Sequence, residues 1–218
     1  MDFAVPTGNF GDIFAGYIAK RMLPEGTIRK LLLATNTNDI LTRFVTHGDY
    51  SCGTVVATSS PSMDIQAASN FERYLYYLMD ENPVRTQNAM LEFAGTGRLD
   101  LSSSCDQIKR DFVATAASEQ DVLETIQRFY KEHDYILDPH TAVGVHAALI
   151  HQQKGIPVIC LSTAHPAKFG ETVKKAIGIT PVLPQAIAAL ASKTSRCELM
   201  DPDRNLIQDF IRKHALHT

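Results

Sequence analysis

The turn at residues 5–12, with the sequence VPTGNFGD, has the residue types and spacing expected of a phosphate-binding site. Gly8 and Gly11 allow unusual backbone dihedrals and a close approach of a ligand to the main chain. Apolar residues at helical spacing predict a helix over 11–22, so several free N–H groups would point at one spot near its N-terminus. The helix dipole gives that spot partial positive charge, which suits a phosphate.

The same residues leave a second interpretation open, namely a plain strand-to-helix turn with Asn9 at a position like an N-cap. In the phosphate-binding interpretation, Asn9, Phe10 and Gly11 donate main-chain N–H groups. The Asp12 carboxylate would repel a phosphate, so we expect Asp12 to contribute its main-chain N–H and to point its side chain elsewhere. Because the turn lies so close to residue 1, we expect the strand that leads into it to be almost entirely missing.

The rest of the chain alternates strand and helix patterns, which predicts an α/β fold. A short apolar run predicts a buried parallel strand, and a later run predicts a second core strand. Ser118 and Asp121 form a capping box before an amphipathic pattern, and Asp138 precedes a helix that begins at Pro139. The predicted strands are 29–34 and 157–161, and helices are predicted to begin after residues 39, 118 and 138. Segment 64–95 is predicted to be mostly helical, and segment 96–118 is predicted to be an irregular insertion.

Composition bounds the class of protein. The 218 residues carry a formal net charge of −3 and 44% hydrophobic residues, which is ordinary for a globular domain and gives no electrostatic case for nucleic-acid binding. No apolar run approaches the roughly 20 residues of a membrane span. The four widely spaced cysteines fit neither a zinc site nor a disulfide framework, so we expect reduced thiols and a cytoplasmic protein.

Five blocks of sequence, in order along nearly the whole chain, resemble threonine synthases. These are pyridoxal 5′-phosphate (PLP) enzymes of the tryptophan-synthase-β type. The blocks are VPTGNFGD at 5–12 with GYIAKRM at 16–22, LATN at 33–36 with ND at 38–39, SPSMDIQ at 60–66 with SNFER at 69–73, DPHTAVG at 138–144, and LSTAHPAKF at 161–169.

The resemblance implies the C-terminal part of a fold-type-II PLP enzyme, with a mostly parallel sheet flanked by helices and a helical insertion. We expect residues 1–60 to hold the phosphate loop and the start of the α/β layer, 61–120 the insertion, and 121–218 the remainder of the large domain. The implied ligands of the PLP phosphate are Gly8, Asn9, Phe10, Gly11 and Asp12.

The resemblance also implies that Thr163 hydrogen-bonds the pyridine nitrogen of PLP, with Ser162 as the neighbouring candidate. A hydroxyl can make that bond without forcing protonation of the nitrogen. The residues alone leave Thr163 open as a helix N-cap before Pro166, although His165 is the nearer cap position.

Two further segments are candidates for substrate contacts. In one interpretation, His140 and Thr141 line the mouth of the site and His140 is a proton carrier. In the other, Asp138 is simply an N-cap and His140 is an exposed residue of the first helical turn. In one interpretation, residues 60–73 bind a substrate phosphate through hydroxyls, an amide and Arg73. In the other, they form a capped helix whose charged side chains are solvated.

Threonine synthases convert O-phospho-L-homoserine and water to L-threonine and phosphate, so the resemblance implies a carbon–oxygen lyase acting on phosphates. The motif that carries the family's Schiff-base lysine has no match in this sequence, and no catalytic residue is assigned. We therefore expect a C-terminal half, from a truncated chain or a split gene product, that is inactive without its N-terminal half. The alternatives are a non-catalytic module that binds phosphate or a phosphorylated amino acid, and a related β-replacing PLP enzyme.

Overall fold

The computed structural model describes residues 1–190 and 192–215, and the chain divides into two compact units, 1–182 and 183–218. The strands are β1 (Asp2–Pro6), β2 (Lys30–Thr35), β3 (Asp49–Ser51), β4 (Arg98–Asp100), β5 (Phe112–Ala116) and β6 (Val158–Cys160). The α-helices of the first unit are α1 (Gly11–Met22), α2 (Ile40–His47), α3 (Phe71–Leu78), α4 (Pro83–Thr96), α5 (Cys105–Asp111), α6 (Glu119–His133), α7 (Pro139–His151) and α8 (Gly170–Ile177). Short 3₁₀ helices lie at Pro61–Met63, Ser102–Ser104 and Pro166–Phe169, and the second unit contains α9 (Gln185–Ala188) and α10 (Arg204–His214).

Strand β1 lies inside the main sheet. The four strands run in the order β5-β2-β1-β6, and every pairing is parallel. β1 pairs with β2 from Asp2 to Pro6 and with β6 from Asp2 to Ala4. The expectation that the strand before the turn is almost entirely missing was therefore wrong, because five residues suffice to pair with a neighbour on each side.

Strand β6 forms where a core strand was predicted, but it is an edge strand within the described residues. Ile159 in its centre is 42% exposed. An apolar run predicts a strand without distinguishing the centre of a sheet from its edge, which is why the sequence misplaced it.

Strand β5 corrects the prediction of an irregular insertion over 96–118. Its residues pair in register with β2, from Leu31 opposite Phe112 to Thr35 opposite Ala116. The strand is five residues long and follows the charged end of α5 directly, so no turn residue marks its start in the sequence.

Alternate residues of β2 enter hydrophobic clusters on the two faces of the sheet. Leu31 and Leu33 pack with α1, α2 and α3, whereas Ala34 packs with α6 and α7. An aromatic group in the first cluster holds the Phe10 ring edge-on to Phe71 and Phe112, at centroid distances of 5.8 and 5.7 Å. The α/β fold with helices on both faces is thus confirmed, and Phe10 anchors the turn after β1 to the core.

The helix starts follow the sequence closely where a cap is present. Ser118 and Asp121 form the predicted capping box of α6, and the Asp138 carboxylate caps α7. Close packing at Gly144 sets α7 against the sheet, since a Cβ there would lie 3.0 Å from the Pro6 ring. No helix within the described ranges is both long and apolar enough to cross a membrane.

Replacing Gly48 by alanine should destabilise the fold more than the same change at Gly26. Both glycines have left-handed backbones, with φ of 73° and 83°. A Cβ at Gly48 would lie 2.4 Å from the Ser102 nitrogen, whereas one at Gly26 meets nothing within 4 Å. We expect Gly26→Ala to cost about 1 kcal/mol and Gly48→Ala at least about 2 kcal/mol more in the free energy of unfolding, measured in urea. Equal losses of stability in the two variants would contradict this prediction, because residues 101–102 would then move away from the new Cβ without a cost in free energy.

Candidate functional site

The turn between β1 and α1 presents main-chain donors that have no acceptor in the described part of the protein. Phe10 is left-handed with φ of 67°, and no side chain caps α1. The N–H of Thr7 reaches the Ala34 carbonyl at 2.7 Å, but no hydrogen bond is donated by the N–H groups of 8–12. Such a row of donors at a helix N-terminus is suited to an anion.

Residues 61–70 hold this turn from outside. A Cβ on Gly8 would lie 2.6 Å from the Ser62 carbonyl oxygen, so that position has room only for glycine. The Asn9 carbonyl accepts hydrogen bonds from the Asn70 main-chain N–H at 3.1 Å and from its Nδ2 at 3.0 Å. The Asn9 carbonyl is thus satisfied by protein, whereas the N–H groups of the turn remain available.

A cavity of about 160 Å³ brings four of the predicted segments together. It lies at the carboxyl ends of β1 and β6, where open parallel sheets bind ligands. Phe10, Gly11 and Asp12 do not line it: the Phe10 ring is buried in the core, and Asp12 is exposed. The lining residues are Pro6, Gly8, Asn9, Ser62, Met63, His140, Thr163, Ala164, Lys168 and Phe169.

One buried carboxylate, that of Asp138, organises the wall of the cavity opposite the turn. It accepts hydrogen bonds from the main-chain N–H groups of His140 and Thr141, at 2.8 and 3.2 Å, and from the Thr141 hydroxyl. Burial alone would raise the pKa of Asp138, but its contacts with His140 and Thr141 outweigh burial and hold the pKa below its ordinary value. Asp138 is therefore the N-cap that the sequence allowed, and it remains ionised.

Thr141 links this carboxylate to Thr163. The Thr141 hydroxyl accepts a hydrogen bond from the Thr163 N–H at 3.3 Å while donating to Asp138. The helix-cap interpretation of Thr163 was wrong, because His165 caps the 3₁₀ helix at Pro166–Phe169 through a hydrogen bond from the Ala167 N–H to its Nδ1. The Thr163 side chain is exposed at the cavity, and Ser162, also exposed, does not line it.

His140 is buried, contrary to the interpretation that made it an exposed first-turn residue, with 5% of its surface accessible. Its Nε2 accepts a hydrogen bond from the Ser62 N–H at 3.4 Å, which places the proton of the neutral ring on Nδ1. Nδ1 lies 3.3 Å from the Asp138 carboxylate, in a geometry that does not complete a hydrogen bond. The ring thus connects α7 to the segment that holds the turn.

Asn36, which follows β2 at the same edge of the sheet, was not among the predicted site residues. Its side-chain amide donates to Asp64 at 2.7 Å and to the Ser60 hydroxyl at 2.9 Å, and Asn38 also donates to Asp64 at 3.0 Å. These bonds fix the chain on both sides of Ser62. The available signal in the sequence was an amide side chain directly after a predicted parallel strand. If such a group is buried, it must find hydrogen-bond partners.

The remaining polar residues of 60–73 do not converge on the cavity. Ser60 is buried in the network around Asn36, and Asn70 holds the turn. Arg73 instead lines a separate groove of about 850 Å³ between α1, α3 and α4, together with Phe14 and Tyr77. The segment therefore supports the turn and contributes only Ser62 and Met63 to the cavity lining.

The cavity is electrostatically suited to an anion. Its lining contains the free N–H groups of Gly8 and Asn9 and the cationic Lys168, and no carboxylate is among the residues that line it. Clusters of histidine, cysteine and acidic residues that could hold a metal ion are absent from residues 1–190 and 192–215.

Comparisons with known proteins agree with this geometry. A family model described as "Threonine synthase, C-terminal" matches residues 141–211. Threonine synthase of Pseudomonas aeruginosa is 41% identical over 217 residues, which are 98% of this chain and 46% of that protein. The PLP-bound threonine synthase of Brucella melitensis superposes with a TM-score of 0.88 at 38% identity, over 99% of this chain and 46% of that one. The yeast enzyme gives a TM-score of 0.85 at 38% identity, over 98% and 47%.

The parallel sheet, its flanking helices and the glycine turn define the C-terminal part of a fold-type-II PLP enzyme. Within that class, the chain belongs to the threonine synthase family. It spans about half the length of the curated relatives it matches.

Replacing Asp138 by asparagine should destabilise the protein at neutral pH by about 1–3 kcal/mol, since charged hydrogen bonds to buried partners are lost. The folded pKa of Asp138 is lowered, so the wild-type advantage is fully present above the ordinary carboxyl pKa and is lost as the pH falls through the folded pKa. Urea unfolding across that range measures it.

Asp203→Asn is the matched control, because Asp203 also caps a helix but is exposed. Asparagine is itself a good cap, so this change should cost little at any pH. A cost for Asp138→Asn that equals that of Asp203→Asn would contradict the organising role of the buried carboxylate.

Proposed function

We propose that this chain is the C-terminal half of a threonine synthase and forms the PLP side of its active site. The single observation that carries the proposal is the row of unpartnered N–H groups at residues 8–12, at the head of α1, of which Gly8 and Asn9 line the cavity. The Brucella neighbour, described as PLP bound, supports it. The reaction proposed for the whole enzyme is conversion of O-phospho-L-homoserine and water to L-threonine and phosphate.

The residues present fit the coenzyme. Asn9, Phe10 and Gly11, with Gly8 and Asp12 on either side, would hold its phosphate through main-chain N–H groups. Thr163 would accept or donate a hydrogen bond at the pyridine nitrogen, and Thr141 fixes the Thr163 main chain for that purpose. When bound, PLP supplies an electron sink for carbanions formed on the substrate.

The cavity also indicates that this chain supplies only part of the site. Its volume of about 160 Å³ is below the roughly 300–1,000 Å³ of ordinary small-molecule pockets. We infer that a lysine-bearing N-terminal half covers it and excludes water from the reacting atoms. The cytoplasmic location expected from the four free cysteines stays a prediction.

Alone, the chain should form no L-threonine from O-phospho-L-homoserine in the presence of PLP, because the motif that carries the family's Schiff-base lysine has no match in this sequence. Borohydride treatment should label several exposed lysines weakly, as mapped by mass spectrometry. Co-expression with the N-terminal half of a relative should restore turnover, measured as threonine and phosphate released. Strong labelling of one lysine, with turnover by the isolated chain, would contradict the proposal.

Replacing Gly8 by alanine should weaken binding of pyridoxine 5′-phosphate, a coenzyme analogue without the aldehyde. A Cβ there would lie 2.6 Å from the Ser62 carbonyl, so the turn must move. We expect at least about tenfold weaker binding, the loss of one or more charge-assisted hydrogen bonds, measured by calorimetry on the isolated chain. Amide chemical shifts of residues 9–11 report the same event by NMR.

Gly26→Ala is the control for that experiment, since Gly26 lies in a turn where a Cβ meets nothing within 4 Å. Its affinity should equal that of the wild type. Tight binding by Gly8→Ala, or amide shifts that leave residues 8–12 unaffected, would favour a site other than the turn. Binding of phosphate esters without turnover in the co-expressed complex would favour the second candidate, a non-catalytic module.

A further inference from the structure

Lys168 lines the cavity, and its position there suits it to contact a bound ligand. It lies on the 3₁₀ helix Pro166–Phe169, directly after the loop that carries Thr163. Its main chain is fixed, because the Lys168 N–H donates to the His165 carbonyl at 3.0 Å and the His165 ring caps the helix. The Lys168 side chain therefore starts from a fixed point of the main chain at the cavity wall.

Three side chains follow one another along that wall. The His140 and Phe169 rings are 4.7 Å apart between centroids, and the Lys168 Nζ lies 5.5 Å from the centroid of the Phe169 ring. An exposed cation over a phenylalanine ring is held only weakly. The ammonium therefore lies in the same cavity as Gly8 and Asn9 and remains free to move onto a ligand.

The Lys168 ammonium has no protein anion to neutralise it in the described structure. It makes no ion pair and donates no hydrogen bond there, whereas the Nζ of Lys20 donates to two carbonyl groups. No carboxylate lines the cavity. A cation without a protein partner, in the same cavity as main-chain N–H groups without acceptors, favours the binding of an anion that carries formal charge.

We propose that the Lys168 ammonium binds a phosphate monoester dianion in this cavity, together with the N–H groups of the turn. The inference rests on the proposed function of the turn and deepens it. Main-chain N–H groups orient a phosphate but carry no formal charge, and a desolvated dianion is bound more strongly where a cation completes the shell. The ester is the coenzyme or the phosphorylated amino-acid substrate, since both present the same group.

The test is calorimetric titration of the full chain with two esters, pyridoxine 5′-phosphate and O-phospho-L-homoserine. Neither carries an aldehyde, so neither condenses with lysines. Lys168→Gln should weaken binding of at least one ester about tenfold, the loss of one charge-assisted contact, and Lys168→Arg should retain most of the affinity. Lys175→Gln removes an exposed charge from α8 without touching the cavity and should leave both affinities unchanged.

Each outcome decides the inference. The ester whose affinity falls in Lys168→Gln identifies the phosphate that Lys168 binds, and a fall for both shows that the cavity accepts either. Wild-type affinity of Lys168→Gln for both esters, with Gly8→Ala still impaired, would overturn the role of Lys168 and leave the proposed function standing. An equal fall in the affinity of Lys175→Gln would show that the effect comes from net charge alone and would overturn the role of Lys168. Failure of the wild type to bind either ester would overturn both the role of Lys168 and the proposed function of the turn.

Discussion

The close approach of the chain at Ser62 to Gly8 is the constraint on which the site depends. Main-chain N–H groups without protein acceptors are costly unless water or a ligand reaches them. A turn that keeps five of them free must therefore be held by its other groups. Here the Asn9 carbonyl is bonded by Asn70, the Phe10 ring is buried in the aromatic cluster, and the Ser62 carbonyl leaves room only for a glycine.

Each support of the turn is itself fixed by a buried polar group. Asn36 and Asn38 hold the chain just after Ser62 through Asp64, and His140 accepts a hydrogen bond from the Ser62 N–H. Asp138 in turn positions His140 and, through Thr141, the loop of Thr163. Two walls that come from distant parts of the sequence are thus locked by hydrogen bonds at one edge of a parallel sheet, which fits a site that must be formed before its ligand arrives.

Much of this fold could be predicted from the sequence, because local signals and tertiary packing agree. The face of α2 with Ile40 and Phe44 is buried, and Gly48 ends that helix in the left-handed conformation. The failures occurred where the signal is not local. β5 lacks a turn before it, and β6 reads as a core strand because an apolar run carries no information about its neighbours.

The candidate site was predictable in part for the same reason. The glycine turn and Thr163 were predicted as site residues because the residues at the carboxyl ends of strands have recognisable types and resemble a known family. Gly8, Asn9 and Thr163 do line the cavity, and their role toward a coenzyme stays a prediction. The burial of His140 and the network around Asn36 were not predicted, because each depends on which segment packs against the residue. The separation of Arg73 from the cavity was not predicted either, because sequence spacing does not encode that Arg73 lines the groove between α1, α3 and α4.

The most direct test of this account is a crystal structure of the chain in complex with the N-terminal half of a related threonine synthase and PLP. The account predicts that the coenzyme phosphate lies within hydrogen-bond distance of the main-chain nitrogens of Asn9, Phe10 and Gly11, and that the pyridine nitrogen faces the Thr163 hydroxyl. A phosphate bound away from these nitrogens, with the turn contacting only water or protein, would contradict it.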